Sequence, residues 1–301
     1  MKVSIAISNY NYENFLVECI DSVLEQTYRD LEIIIIDDGS TDGSAGLIEK
    51  HYRKNEIVKF ITKSNGGQLS AFNEAVKHAT GDIICFLDSD DLYKENYIER
   101  IVSLYRDNLE IDFIFCEQEV LYPDGSREIQ KLYPASMDLG FSVVSALYSR
   151  EWLGSTTSCI SLRMSLVYKI LPIPYEGDWI TRADDILVWG GSLFGARKYY
   201  CAEPLVVYRV HDNNNYFGKS FSNYAEYKRN YAINRLFKYF RNKAGISGDI
   251  IDIICIEFES RTNKDVALLM RYLKILRYDR GFTCKLKKSF RLVRACLRDS
   301  L

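Results

Sequence analysis

Asp88-Ser89-Asp90-Asp91 puts three carboxylates into four positions, directly after the apolar run 83–87. Carboxylates this close repel one another, and a cation is the usual remedy. Oxygen ligands suit Mg²⁺ or Mn²⁺, and Mg²⁺ is commonly held by one or two carboxylates together with substrate phosphates. Two other acidic pairs stand in comparable places. Asp37-Asp38 follows the strand-like run 31–36, which ends in four β-branched isoleucines, and Asp184-Asp185 precedes Leu187, Val188, Gly191 and Phe194, which suit a buried helix. Each acid also has a plain structural reading. Asp91 and Asp90 fit a solvated turn before a helix, Asp37 and Asp38 a helix cap, and Asp184 and Asp185 the favourable end of a helix dipole.

The elements that must carry these acids alternate. Residues 3–7 form an apolar strand ending at Ser8-Asn9-Tyr10-Asn11-Tyr12, and an amphipathic helix follows over about 14–25, with Phe15, Cys19, Ile20, Val23 and Leu24 at helical spacing. Strand 31–36 leads to a helix ending near Tyr52. Strand 58–62 leads through Asn65-Gly66-Gly67-Gln68 into a helix ending near Lys77. Strand 83–87 then delivers the acidic cluster. Such alternation predicts an α/β fold with a mostly parallel, Rossmann-like sheet flanked by helices. Ligands in such sheets bind beyond the carboxyl ends of the strands. Three polar clusters therefore converge on one edge, offering carboxylates, glycines that admit close approach, and the ring of Tyr10 or Tyr12. A nucleoside diphosphate held through a metal fits these parts. The dinucleotide fingerprint GxGxxG and the phosphate loop GxxxxGK[ST] are both missing.

The blocks VSIAISNYNYENFLVECIDSVLEQTY, EIIIIDDGSTD and NGGQLSAFNEAVKHATGDIICFLDSDD together resemble the nucleotide-binding half of the family 2 glycosyltransferases, over roughly residues 1–110 and in the family's order. The resemblance implies an inverting, non-processive enzyme of GT-A fold using a nucleotide-sugar, usually UDP-linked. It implies that Asp38 contacts the nucleobase, with Tyr10 and Asn11 beside it. Asp90 would be the direct metal ligand and Asp88 would lie nearer the ribose. Asp37 and Asp91 would be supporting residues. Gln68, after the glycine pair, is a further candidate nucleotide contact, with a simple turn as the other reading.

Downstream, 111–117 reads as a fifth strand and 120–132 as a hairpin turning at Pro123-Asp124-Gly125. Residues 135–158 are less regular, and Trp152 with Ser155 to Ser158 is assigned to the acceptor wall. A helix over about 163–170 stops at Pro172. Inverting transfer needs a carboxylate to take the acceptor's proton. The resemblance places that base on the second residue of a Glu-Asp-like pair, here Asp185, while Asp184 departs from the commoner Glu. The stretch Tyr208-Arg209-Val210-His211-Asp212-Asn213-Asn214 resembles the block that closes the family's catalytic domain. There His211 can complete a Mn²⁺ or Mg²⁺ shell or hydrogen-bond a diphosphate, or it simply closes a loop.

After residue 221 the pattern is helical. Tyr224, Tyr227, Tyr231, Ile233, Leu236, Phe237 and Phe240 are expected along one long helix packed on its own domain or on a second copy. Helices over about 250–258 and 266–276 follow. The end of the chain carries Phe282, Leu286, Phe290, Val293, Leu297 and Leu301 at spacings of three and four, among Lys285, Lys287, Lys288, Arg291, Arg294 and Arg298. This reads as a basic amphipathic helix for a membrane surface, or as a helix packed on protein. The expected organisation is a catalytic domain 1–220, divided into donor and acceptor halves at 110, and a helical region 221–301 with the basic tail at 282–301.

The chain has 301 residues, 47% hydrophobic and 27% charged, and a net charge of −2, which suits a globular protein and argues against a general nucleic-acid binder. Residues 271–301 hold ten Lys/Arg against two Asp/Glu, a balance of +8, so residues 1–270 carry −10. Eight scattered cysteines form no CxxC and no Cys/His cluster, which speaks for reduced, mostly buried thiols and against zinc. The start of the chain has no secretory pattern, and no run approaches the ~18 apolar residues of a membrane span. These features lead to the expectation of a cytoplasmic enzyme, peripheral at the inner face of the membrane, that extends a glycan or lipid-linked acceptor for cell-surface polysaccharide. Two other functions would use similar parts. A sugar-phosphate nucleotidyltransferase would want glycine or basic residues in the loop 8–12, which has neither. A non-catalytic nucleotide-sugar-binding scaffold would not need the acids at 38, 88, 90 and 185.

Overall fold

The structure, a computed structural model, describes residues 1–129, 131–214 and 219–299. Leu301 and, within the expected hairpin, residue 130 lie outside them. The first half alternates strictly: β1 Val3–Asn9, α1 Glu13–Leu24, β2 Leu31–Asp37, α2 Ser44–Tyr52, β3 Val58–Thr62, α3 Gln68–His78 and β4 Ile83–Asp88. Then come β5 Leu92–Tyr93, α4 Tyr97–Asp107, β6 Phe113–Leu121, β7 Arg127–Glu128, β8 Met137–Gly140, α5 Val143–Ser149, β9 Ile160–Arg163, α6 Met164–Ile170, α7 Asp184–Leu193 and β10 Lys198–Arg209. Helices α8 Asn223–Lys243, α9 Ile254–Ser260, α10 Val266–Ile275 and α11 Phe282–Asp299 complete the described chain.

All ten strands join one sheet, in the order β3-β2-β1-β4-β9-β6-β10-β5, with β7 on β6 and β8 on β10. Strands β3, β2, β1 and β4 are parallel. In their register Asn9 lies opposite Asp37 and Ser8 opposite Asp88, so the polar ends of β1, β2 and β4 are level. Strand β9 runs antiparallel between β4 and β6.

Successive strand residues point to opposite faces, and both faces here are covered, so the middles of β1, β2 and β4 are apolar on both faces, while Ser4 and Glu32 near the starts of β1 and β2 are buried as a hydrogen-bonded pair (2.7 Å). Ile5, Ile7, Ile33, Ile35, Cys85 and Leu87 pack with α1, α2 and α4 on one side. Ala6, Ile34, Ile36, Ile84 and Phe86 pack with α3 and α7 on the other. Helices α8 to α11 join that second core through Leu236, Phe237, Phe240, Ile254, Phe258, Tyr272 and Leu292. Burying each such large side chain is worth roughly 1.5–3 kcal/mol. A buried carboxylate reinforces the attachment: Glu257 of α9 accepts the N–H groups of Val144 (2.6 Å) and Ser145 (2.9 Å) at the start of α5, and the hydroxyl of Tyr272 (2.8 Å).

Several expectations change. The irregular stretch 135–158 contains β8 and α5. The fifth strand runs 113–121 rather than 111–117, because its outer end pairs with β7 across the turn at Tyr122 to Ser126. On α8 the three tyrosines do not line the packed face. Counted at 100° per residue they fall on the opposite side from Leu236, Phe237 and Phe240, and Tyr224, Tyr227 and Tyr231 are exposed. All eight cysteines are free and seven are buried.

Candidate active site

A cavity of about 510 Å³ opens at the carboxyl ends of β1, β2 and β4. Its walls include Tyr10 and Tyr12 from the β1 loop, Asp38 after β2, Gln68 at the start of α3, Asp88 and Asp90 after β4, and Asp184 at the start of α7. Trp152, Gln118, Thr156, Thr157, Ile180 and Arg182 close the far side.

The first acidic pair divides its work. Asp37 turns inward and organises its own loop, accepting Asn9 Nδ2 (2.8 Å), the Ser40 N–H (3.1 Å) and the Ser40 hydroxyl (2.5 Å). Asp38 reaches the cavity, where its carboxylate accepts the N–H groups of Gly66 (3.0 Å) and Gly67 (2.7 Å) and the Lys63 ammonium (2.6 Å). Gly39 and Gly67 make this possible. Both have positive φ, and a Cβ on Gly39 would meet the Asn65 nitrogen at 2.8 Å. The glycines were expected to admit a ligand to the backbone. At Gly67 what approaches is the chain itself: a Cβ there would lie 2.5 Å from Ile180 Cα. The carbonyls of Ile180 and Trp179 accept the first N–H groups of α3, from Gln68 and Leu69, donors that would otherwise suit an anion.

Tyr10 stands on the rim, 45% exposed. Asn11 does not line the cavity. It takes a left-handed conformation (φ 60°), which Asn tolerates, and its Oδ1 accepts the Thr41 N–H (2.7 Å), tying the β1 loop to the β2 loop. Gln68 bridges two acidic clusters: its Nε2 donates to Asp88 (2.8 Å) and Thr157 (3.2 Å), and its Oε1 accepts the Ala183 N–H (2.8 Å) just before α7.

In the DSDD turn, Asp88 and Asp90 face the cavity while Asp91 is 1% exposed and points away from it. Asp91 accepts the Ser158 hydroxyl (2.6 Å) and the Arg209 N–H (3.2 Å), which pins the turn to β10. It caps no helix, since β5 follows directly. Asp90 is met by His211 Nε2 (3.1 Å) and Asn214 Nδ2 (3.4 Å), and the imidazole stacks on Phe15 with ring centroids 4.4 Å apart. Burial, then the charge of Asp90, raises the carboxyl pKa of Asp88; burial and the charges of Asp90 and Asp88 raise that of Asp91. Among the described residues no three His, Cys, Asp or Glu side chains gather as a ready-made metal site. Asp90 with His211 beside it, and Asp88 nearby, nevertheless fit an ion that takes its remaining ligands from a diphosphate and water.

The pair at α7 departs most from expectation. Asp185, read as the base, is fully buried and does not line the cavity; its oxygens face Arg229 of α8 (3.0 Å) and Arg182 (3.4 Å). Consecutive helical residues point about 100° apart, and it is Asp184 that lines the cavity. Asp184 is 9% exposed, and its buried Oδ1 has no hydrogen-bond partner. Burial, then the adjacent Asp185, raises its pKa.

Residues 4–155 match the family described as Glycosyl transferase family 2. A glycosyltransferase of Nostoc sp. is 34% identical over 221 residues, covering 72% of this chain and 67% of that protein. The chain belongs to glycosyl transferase family 2. It is also 34% identical over 162 residues to the chondroitin synthase of Escherichia coli, but those residues span only 22% of that protein, and a putative glycosyltransferase of Bacillus subtilis is 26% identical with 61% of its length covered. The crystal structure of Staphylococcus aureus TarS residues 1–349 with UDP-GlcNAc superposes on the whole of this chain and 92% of that one, with a TM-score of 0.61 and 18% identity. The fold is therefore GT-A, with the α/β sheet and C-terminal helices described above. Lys63, Gln118 and Arg229 were not anticipated at the site. Lys63 stands close to the glycine pair in sequence, whereas nothing near Arg229 marks it.

Proposed function

We propose that this family 2 glycosyltransferase is an inverting, metal-dependent enzyme that moves a sugar from a UDP-linked donor to a hydroxyl of a glycan or lipid-linked acceptor, in the synthesis of cell-surface polysaccharide. The observation that carries the reading is one cavity receiving Asp38, the Asp88/Asp90 turn and Asp184 at the start of α7 from three separate segments. Chondroitin synthase among the relatives, and a TarS structure holding UDP-GlcNAc, support a sugar nucleotide and a polysaccharide product.

In this reading the nucleobase lies between Tyr10 and Asp38, where Asp38 exchanges a backbone N–H for one from the base. Asp88 faces the ribose, and Gln68 fixes Asp88 relative to α7. A divalent ion, Mn²⁺ or Mg²⁺, held by Asp90 with His211 in reach, would offset the charge of the departing diphosphate. The acceptor enters past Trp152, Thr156 and Thr157. Its hydroxyl proton passes to a carboxylate of the α7 pair as its oxygen bonds to the anomeric carbon. The bond from that carbon to the β-phosphate oxygen breaks on the opposite face, which inverts the centre and releases UDP. We assign the proton to Asp184, because it faces the cavity and its raised pKa brings it closer to neutral pH, where a general base works best. Asp185, between Arg182 and Arg229, positions the helix end.

The test is release of nucleoside diphosphate from a panel of nucleotide-sugars, with the anomeric configuration of the sugar product read by NMR. Slow hydrolysis of a UDP-sugar with inversion is expected. Retention, or turnover confined to a sugar phosphate plus a nucleoside triphosphate, would contradict the proposal.

A further inference from the structure

Helix α11 sits on α9 and α10 by one face only. Leu292 and Cys296 are buried, and Lys288 reaches Asp252 (2.6 Å) and Asp279 (2.8 Å). The apolar stripe legible in the sequence is not this face. Phe282 is 80% exposed, Phe290 69%, Leu297 59% and Leu286 50%. With Val293, these residues fall within an arc of about 80°, directed away from the packed side. Lys287, Arg294 and Arg298 run alongside it, between the stripe and the far edge of the packed face.

We propose that α11 is a membrane-docking element that lies in the plane of an anionic lipid surface, with Phe282, Leu286, Phe290 and Leu297 in the acyl boundary and Lys287, Arg294 and Arg298 at the headgroups. Charge chooses this occupant. The last thirty-one residues carry +8 and the rest of the chain −10. A second copy on the same stripe would bring two basic edges together, whereas anionic headgroups neutralise one. The acidic body is repelled by the same surface, so the protein docks by this side alone. Among the described residues no helix is long and apolar enough to cross a membrane. An 18-residue helix, about 27 Å long, with one apolar and one basic edge suits lying in the interface. The inference does not rest on the transfer reading.

The test is co-sedimentation of the full chain with phosphatidylcholine vesicles, with and without phosphatidylglycerol, across a salt series. Binding is expected only with phosphatidylglycerol, weakening as salt rises. Lys287→Gln and Arg294→Gln should each reduce it about fivefold. Phe282→Ser with Phe290→Ser should abolish it without changing the thermal transition, since neither residue is packed. Equal binding to neutral vesicles, no binding to either, or retention by the double serine variant would overturn the proposal. So would a dimer in scattering experiments that the same double variant dissociates.

Discussion

Arg229 of α8 lies 3.0 Å from Asp185 of α7, so α8 grips the buried neighbour of Asp184, the acid of that pair that lines the cavity. The contact fixes which acid is presented. Asp185 is turned toward the arginines and Asp184 toward the cavity. Replacing Asp184 by Asn is expected to lower transfer by at least about a hundredfold, the usual scale of a lost general base, with UDP binding retained. Asp185→Asn is expected to lower it less and to destabilise the protein, because two guanidinium groups lose their shared partner. Near-full activity in Asp184→Asn with loss in Asp185→Asn would assign the base to Asp185 and require the arginine pair to open before turnover. The readouts are steady-state transfer and calorimetric UDP binding.

Asp184 also sets a pH dependence. Its carboxyl is raised by burial and by Asp185, against opposing contributions from Arg182 and Arg229, and it faces Asp88 across the cavity. In the proposed role of Asp184 the active form is the carboxylate, so the rate should fall with decreasing pH at a value above the ordinary carboxylate range of about 4. Stability runs the other way. A group whose folded pKa exceeds its unfolded one binds more protons when native, so its charge destabilises the fold as pH rises from the unfolded value through the folded one. Asp184→Asn is therefore expected to raise the melting temperature near neutral pH and to flatten its dependence on pH across that window. An unchanged or lowered melting temperature would count against the raised pKa.

Gln68 joins Asp88 to the Ala183 N–H and so holds two clusters of the site in register. Gln68→Ala leaves a backbone donor and a carboxylate without that partner, at a cost of about 1–3 kcal/mol. Donor KM is expected to rise and kcat to fall together, because Asp88 and the start of α7 both lose their tether. Gln68→Glu cannot donate to Asp88 and should not rescue. Rescue by Glu would leave only the bond to Ala183 as relevant.

The parallel half of the fold was legible because its strands are buried on both faces. The run LEIIIID can hardly be anything but a central strand, and β3 falls on the expected residues. Asp38, Asp88 and Asp90 stood out as candidates because they close or follow such strands, and the structure places all three at one cavity. Elements of two to four residues were not legible: β5, β8 and β9 are too short for a period, and β9 is set by its neighbours β4 and β6. On α8, spacings of three and four showed a helix but not which of its residues meet the core: Leu236, Phe237 and Phe240 do, and Tyr224, Tyr227 and Tyr231 do not. The orientation of the Asp184-Asp185 pair was hidden for another reason. It depends on Arg229, forty-four residues away and in a helix whose position comes from Leu236, Phe237 and Phe240 in the core.

The proposed function requires the cavity to hold a nucleoside diphosphate through a metal at Asp90. Calorimetric titration with UDP, GDP and TDP, each with and without Mn²⁺, tests it most directly, run on the protein and on Asp90→Ala. Mn²⁺-dependent binding of UDP, stronger than that of the other two, is expected, and it should be lost in Asp90→Ala while the variant's thermal transition persists. Absence of binding by all three nucleotides, with Mn²⁺ present, would contradict it.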